Sequence, residues 1–219
     1  MGRNETYQTI KNMGFNPLVM VDCGAAWGEW CGTMKPLFPE SFIIAVDANK
    51  WTPENIPGSD VTEIEVLSDV DDKEMTFFRK KENLDEGKFC TGDSLFKENT
   101  QHYQEHNTVE SIVKTKTLKS LIEKHGKSKI DILKIDTQGS EILIMKGLGD
   151  TLKNIDFIEL ECSLVEYNLG GCNFYDIIDF LKEDFEIFDI IDLHKHHGQY
   201  LCQIDVIFQN KNSMYKRQM

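Results

Sequence analysis

Apolar residues in this chain gather in short runs whose spacing switches between that of strands and that of helices. Leu18 to Val21 is a continuous apolar run that ends at Asp22, the pattern of a strand buried on both faces. Gly24 and Gly28 follow, and Trp27 to Phe38 then reads as a helix stopped by Pro39. Phe42 to Val46 is a second strand-like run, ended by Asp47, and Val61 to Leu67 alternates as a third. Thr117 to His125 predicts a short helix with Leu118, Leu121 and Ile122 on one face. Ile130 to Ile135 is a fourth strand leading into Asp136, with a helix over Ser140 to Lys146 behind Gly139. Phe157 to Leu160 is a fifth strand carrying Glu159 and Glu161, and Phe174 to Leu181 repeats at helical spacing. Phe185 to Ile191 and Tyr200 to Phe208 close the chain as two strands joined by the polar loop His194 to Gly198.

Strands alternating with helices predict an α/β domain with a Rossmann-like, doubly wound, mostly parallel sheet. Seven strands are expected. The last two cannot be parallel neighbours, because a parallel crossover needs roughly a dozen residues. They therefore predict a C-terminal antiparallel hairpin, the variant found in class I methyltransferases. The alternation Cys202, Ile204, Val206, Phe208 against Gln203 and Asp205 reads as an antiparallel or edge strand. One domain accounts for residues 1–219, with an N-terminal extension over 1–17 that turns through Met13 to Pro17 into the first strand, and a tail over 209–219. Residues 69–110 are the least regular stretch and read as an insertion or lid, with Met75 to Phe78 as an extra strand.

Composition narrows the function. A formal net charge of −13 argues against nucleic acid, which needs clustered Lys and Arg. The six cysteines include no C-x-x-C pair, and Cys23 and Cys162 sit in strand-like runs as buried thiols of a reducing, cytoplasmic setting. No apolar stretch reaches the roughly 20 residues of a membrane span. Met1-Gly2 with Thr6 fits a myristoylation pattern and Asn4-Glu5-Thr6 a glycosylation sequon, both permissive. His194-Lys195-His196-His197 lacks a paired acid or cysteine nearby, and no metal site is expected there.

The chemistry gathers at strand ends. Asp22-x-Gly24-Ala25-x-x-Gly28 joins a strand to a helix, where glycines let the backbone approach a ligand. A dinucleotide fingerprint would read G-x-G-x-x-G, and an acid at the strand end would repel a pyrophosphate. S-adenosylmethionine has no phosphate and carries a sulfonium and an ammonium, so the acid suits it better. Asp47 follows Gly28 by about 20 residues, the spacing at which a carboxylate meets ribose hydroxyls. Ser68-Asp69 ends the third strand, where an adenine edge would lie. Asp136 could hold the donor's ammonium or face an acceptor hydroxyl. Glu141 lies in the first turn of a helix, where the dipole alone favours an acid.

The chain resembles the FkbM family of S-adenosylmethionine-dependent methyltransferases. The likeness rests on Val21-Asp22-Cys23-Gly24-Ala25 with Gly28, Phe38-Pro39, Asp93-Ser94-Leu95 and Thr117-Leu118. It rests above all on Leu133-Lys134-Ile135-Asp136 with Gly139, Glu141 and Lys146-Gly147, and extends to Leu201-x-Gln203-x-Asp205-Val206-x-Phe208. Ala48-Asn49 and Trp27 depart from the family's pattern. The resemblance implies O-methylation of a hydroxyl on a small molecule or a sugar or glycan. It implies donor contacts from Asp22, Gly24, Ala25, Gly28, Asp47, Ala48, Ser68, Asp69 and Asp136. Asp136, Glu161 or a histidine would take the acceptor proton, with Asp136 and Glu161 as the assigned pair. Alternatives are an NAD(P)-dependent oxidoreductase on a similar sheet, a methyltransferase of nucleic acid or protein, and a non-catalytic interaction module.

Overall fold

In the computed structural model, residues 2–50, 52–81, 91–100 and 107–216 are described. Residues 82–90, with the acids Glu82, Asp85 and Glu86 and with Cys90, fall outside them. Helix α1 (Arg3–Asn12) precedes strand β1 (Val19–Cys23), helix α2 (Glu29–Leu37) and strand β2 (Phe42–Asp47). Strands β3 (Val61–Ile64), β4 (Val66–Leu67), β5 (Glu74–Lys80) and β6 (Thr108–Lys116) follow. Then come α3 (Leu118–Lys124), β7 (Ile132–Ile135) and α4 (Glu141–Gly147), and after a 3₁₀ turn at Gly149–Asn154, β8 (Phe157–Ser163). Helix α5 (Phe174–Leu181) leads to β9 (Phe185–His196) and β10 (Tyr200–Asn210).

The main sheet has seven strands in the order β3-β2-β1-β7-β8-β10-β9. Its first five are parallel to one another, and β10 runs antiparallel to both β8 and β9. This is the class I methyltransferase arrangement. The strands reverse their order of growth at β1, so β2, β1, β7 and β8 end side by side, where a doubly wound sheet gathers its ligands.

Period-two alternation splits the core into two layers. Val21, Cys23, Leu133, Ile135, Ile158 and Leu160 face α3, α4 and α5. Met20, Ile132, Phe157 and Ile207 face α1 and α2. That second face also carries polar residues, among them Asp22, Lys134, Glu159 and Asp205, all 0–7% exposed. Such groups cost several kcal/mol each unless paired. Glu159 accepts from Arg3 Nε at 2.7 Å, Tyr7 Oη at 2.7 Å and Trp30 Nε1 at 2.9 Å. Arg3 also donates to Asp205 at 3.0 Å.

Four elements depart from the sequence reading. Residues 3–12 form a helix whose Thr6, Tyr7 and Ile10 are buried, and whose Arg3 and Tyr7 supply donors that the acidic face needs. The run Val61 to Leu67 splits: β3 joins the main sheet, while β4 joins a separate three-stranded sheet in the order β4-β6-β5. Within the irregular stretch, the expected strand over Met75 to Phe78 is present as β5, while β6, its antiparallel partner from Glu74↔Lys114 to Lys80↔Thr108, has no counterpart in the sequence reading. Finally, β10 lies inside the sheet; β9 is the edge. On the polar face of β10, Asp205 pairs with Arg3 of α1, while Gln203 turns to Glu161 at the cavity. Beyond Phe208, Gln209, Asn210 and Ser213 are buried, and Tyr215 stacks edge-on against Phe15.

Candidate functional site

A cavity of about 370 Å³ opens over the ends of β1, β2, β7 and β8. Gly24 and Ala26 from the turn after β1 line it, with Asp47, Ala48 and Asn49 after β2. Val66, Leu67, Phe77 and Leu95 supply an apolar wall. Asp136, Thr137 and Gln138 after β7, Glu161 on β8 and Gln203 on β10 close the far side, with Glu98 and Tyr167.

The turn after β1 is held by close backbone packing. Gly24 and Ala25 donate N–H groups to Val46 O at 2.8 and 3.1 Å, fastening the turn to the end of β2. Gly24 has φ +76°, and a Cβ there would stand 1.9 Å from Asp136 O. Gly28, at φ +81°, would drive a Cβ to 2.2 Å from Ile56 Cγ2. Packing of chain against chain therefore already requires glycine at both positions. Asp47 fixes the cavity side: Oδ2 accepts Ala26 N–H at 2.9 Å and Oδ1 accepts Asn49 N–H at 2.8 Å. Each oxygen keeps a lone pair for a further donor.

The turn after β7 is held by Glu141, which accepts from Thr137 N at 3.0 Å and Gly139 N at 3.0 Å. Its carboxylate belongs to this turn and is 2% exposed. The turn bends through Gln138 at φ +57°, aiming its side-chain amide at two acids. Gln138 Nε2 donates to Asp136 Oδ1 at 3.0 Å and to Glu161 Oε2 at 2.6 Å. Gln203 Nε2 reaches the same Oε2 at 2.8 Å. Burial, and then the charges of Asp136 and Asp205, push the Glu161 carboxyl up to about 9. Burial, and then the charge of Glu98, push the Tyr167 phenol up to about 12.

Of the residues expected from sequence, Gly24, Asp47, Ala48, Asp136 and Glu161 line this cavity; Asp22, Ala25, Gly28, Ser68 and Asp69 do not. Asp22 is fully buried on the sheet face, 3.1 Å from Lys134 Nζ and 3.4 Å from Cys31 Sγ. Burial works against the charge of Lys134, but Asp22 and Asp136 hold it well above the ordinary lysine value. Asp22 thus faces Lys134, and the repulsion expected between it and a pyrophosphate falls instead to the acids that reach the cavity. Ser68 hydrogen-bonds Asp69, and its carbonyl leaves room only for a glycine at Gly147.

Sequence reasoning passed over Gln138, Tyr167, Gln203 and Glu98. The polar alternation of the last strand was the available signal for Gln203, since Asp205 pairs with Glu161 across β8 and β10. Glu161, His194 and Asp205 present donor atoms within 4.8 Å of one another, the spacing of metal ligands. Glu161 Oε2 accepts from Gln138 and Gln203, Asp205 Oδ2 accepts from Arg3, and His194 meets Asp205 Oδ1 at 3.1 Å, so the acid that the sequence did not place near His194 comes from the neighbouring strand.

The segment over 91–100 is stitched in place. Ser94 and Phe78 exchange backbone hydrogen bonds, and Ser94 Oγ donates to Gln138 O at 2.8 Å. Asn99 N–H and Leu169 N–H bind Tyr167 O and Lys97 O at 2.7 and 2.9 Å. These described residues form a fixed wall; the remainder of the expected lid, 82–90 and 101–106, lies outside them.

The fold and the cavity together define a class I methyltransferase domain. The chain belongs to the FkbM family of S-adenosylmethionine-dependent methyltransferases: the family model described as the methyltransferase FkbM domain matches residues 40–199. That match begins after β1, so the glycine turn is joined to it by the sheet. The crystal structure of methyltransferase FkbM from Methylobacillus flagellatus KT has a TM-score of 0.51 at 12% identity, over 87% of this chain and 43% of that one. The chain thus spans less than half the length of that relative. A TehB-like methyltransferase from Corynebacterium glutamicum ATCC 13032 Kitasato gives a TM-score of 0.46 at 11% identity, over 95% and 88% of the two chains. Precorrin-6y C5,15-methyltransferase from Geobacter metallireducens GS-15 gives 0.44 at 12%, over 93% and 87%. At these identities the likeness concerns the fold. No curated protein matches the chain. Among the described residues no helix is long and apolar enough to cross a membrane.

Proposed function

We propose that this domain transfers a methyl group from S-adenosylmethionine to a hydroxyl of a small-molecule or glycan acceptor. The observation that carries the reading is the acidic lining from β2, β7 and β8, Asp47, Asp136 and Glu161, around one cavity. The residues fit this donor. Asp47 has the free lone pairs to accept ribose hydroxyls, and Val66, Leu67, Phe77 and Leu95 form a wall suited to adenine. Asp136, 35% exposed at its side chain, faces the cavity where an ammonium would be balanced.

Bound S-adenosylmethionine supplies an electrophilic methyl whose C–S bond breaks, leaving its electron pair on sulfur, as the O–C bond forms. The protein's part is alignment and proton removal. Glu161, held by the Gln138 and Gln203 amides, takes the acceptor's hydroxyl proton once it is ionised. Its raised affinity for that proton makes it a stronger base than an ordinary glutamate. Asp136 balances positive charge on the donor, and the wall over 91–98 with Tyr167 excludes water from one side.

Calorimetry with S-adenosylmethionine, S-adenosylhomocysteine and NADH tests the reading. Micromolar binding of the adenosyl pair without NADH is expected. Binding of NADH alone would overturn it in favour of an oxidoreductase, and binding of none would leave an interaction module.

A further inference from the structure

The cavity holds more acidic groups than its donor needs. Asp47, Glu65, Asp93, Glu98, Asp136 and Glu161 line it, and no Lys, Arg or His does so among the described residues. Asp47 and Asp136 are accounted for by the donor, and Glu161 by proton removal. Glu98 is not. It is 8% exposed, its backbone bridges Asn168, and the Thr100 hydroxyl donates to its carboxylate. Among the described residues it forms no ion pair, unlike the buried Glu159, which holds Arg3. A buried carboxylate without a counter-charge is costly unless something else supplies one. The Tyr167 phenol hydrogen-bonds the same carboxylate and lies beside it on the cavity wall, so Glu98 has two hydroxyl partners and no positive charge among the described residues. A carboxylate beside an aromatic ring is the pairing that receives an organic ammonium, by ion pair and by the ring face.

We propose that the acceptor is a hydroxylated amine, whose ammonium pairs with Glu98 against Tyr167 while its hydroxyl faces Glu161. This rests on the methyltransferase reading above. An ammonium held on a carboxylate keeps its proton and is no nucleophile, so the methyl goes to the hydroxyl. Acceptors bearing phosphate, sulfate or carboxylate are repelled by the same lining.

The test is calorimetry on the full chain saturated with S-adenosylhomocysteine, with matched triples that differ only in charge. Glucosamine, glucose and glucuronate form one triple; serinol, glycerol and glycerate another. Binding by an amine member alone is expected, weakened about tenfold or more by Glu98→Gln, with S-adenosylhomocysteine affinity unchanged. Equal or tighter binding of a neutral or acidic member overturns the inference. So does the absence of binding by every amine at millimolar concentration, or an amine affinity that Glu98→Gln leaves intact. If S-adenosylhomocysteine itself fails to bind, the methyltransferase reading fails instead, which separates the two.

Discussion

The two sides of the cavity are built by different physics. Around the turn after β1, the glycine backbone is pressed by its neighbours: Gly24 by the Asp136 carbonyl, Gly28 by the Ile56 side chain and by Pro57. Around Glu161 and Glu98, the contacts run between side chains, and buried carboxyl groups depend on amides, hydroxyls and a tyrosine. The first side tolerates no added atom and has little charge to tune. The second tolerates isosteric change but is sensitive to charge and proton. A shared donor needs a fixed cradle, whereas the acceptor's identity is set where side chains can vary without moving the fold.

The largest effect should come from Gly24→Ala. The new methyl would sit 1.9 Å from Asp136 O at a positive φ. A loss of ~4 kcal/mol of stability is expected, since the turns after β1 and β7 must separate. Gly126→Ala is the control: φ is +67° there too, but nothing lies within 4 Å of the added atom. It should cost only about 1 kcal/mol from the backbone conformation. Urea unfolding of both decides; equal losses would show that strain in φ, not packing, makes Gly24 necessary.

Next is Glu161→Gln, which tests the side-chain half. A fall in kcat of about 100-fold is expected, with S-adenosylhomocysteine binding retained. The pH profile sharpens it. With a carboxyl pushed up to about 9, turnover of the parent should rise with pH toward about 9, and the glutamine variant should be flat. Stability should move the other way. The folded protein keeps a proton that the unfolded chain releases near 4.5, so stability falls as pH climbs from there toward about 9. The variant should lose that slope. A parent whose rate and stability ignore pH over this range would remove Glu161 from proton transfer.

These two halves were unequally legible in the sequence. The sheet was readable because parallel strands buried on both faces give continuous apolar runs, and helix α5 spans the residues its periodicity marks. Asp47 and Asp136 were readable because a strand end fixes where a following residue points. Asp22 was misread as a donor contact because its neighbour in space, Lys134, lies on another strand and turns it into a buried pair. Glu98 and Tyr167 carry no local pattern; they meet through backbone pairing of the segments around Glu98 and Asn168. Helix α1 was missed since its buried face is narrow, and its strongest bonds are to acids far along the chain.

Asp47→Asn should have a smaller effect, on donor affinity alone. One oxygen survives to accept a backbone N–H, while the amide replaces the other acceptor, so the turn loosens without unfolding. S-adenosylmethionine and S-adenosylhomocysteine should each bind about tenfold more weakly, read by calorimetry. Unchanged affinity for both would take Asp47 out of the donor contacts and leave it as a brace for Ala26 and Asn49.

The smallest expected change is in Arg3→Met, and it joins the two halves. Arg3 supplies the positive charge that Glu159 and Asp205 share, and Asp205 in turn helps to raise Glu161. Its side chain is 34% exposed, so water screens the pairs, and Tyr7 and Trp30 still bind Glu159 when the guanidinium is gone. A loss of about 1 kcal/mol is therefore expected in place of the larger cost of breaking a fully buried pair. The more telling readout is the pH–rate profile. With the balancing charge removed, Asp205 should press harder on Glu161, moving the alkaline rise in turnover to higher pH. A profile that stays put would mean that the acidic row on the sheet face is electrically separate from the cavity it runs into.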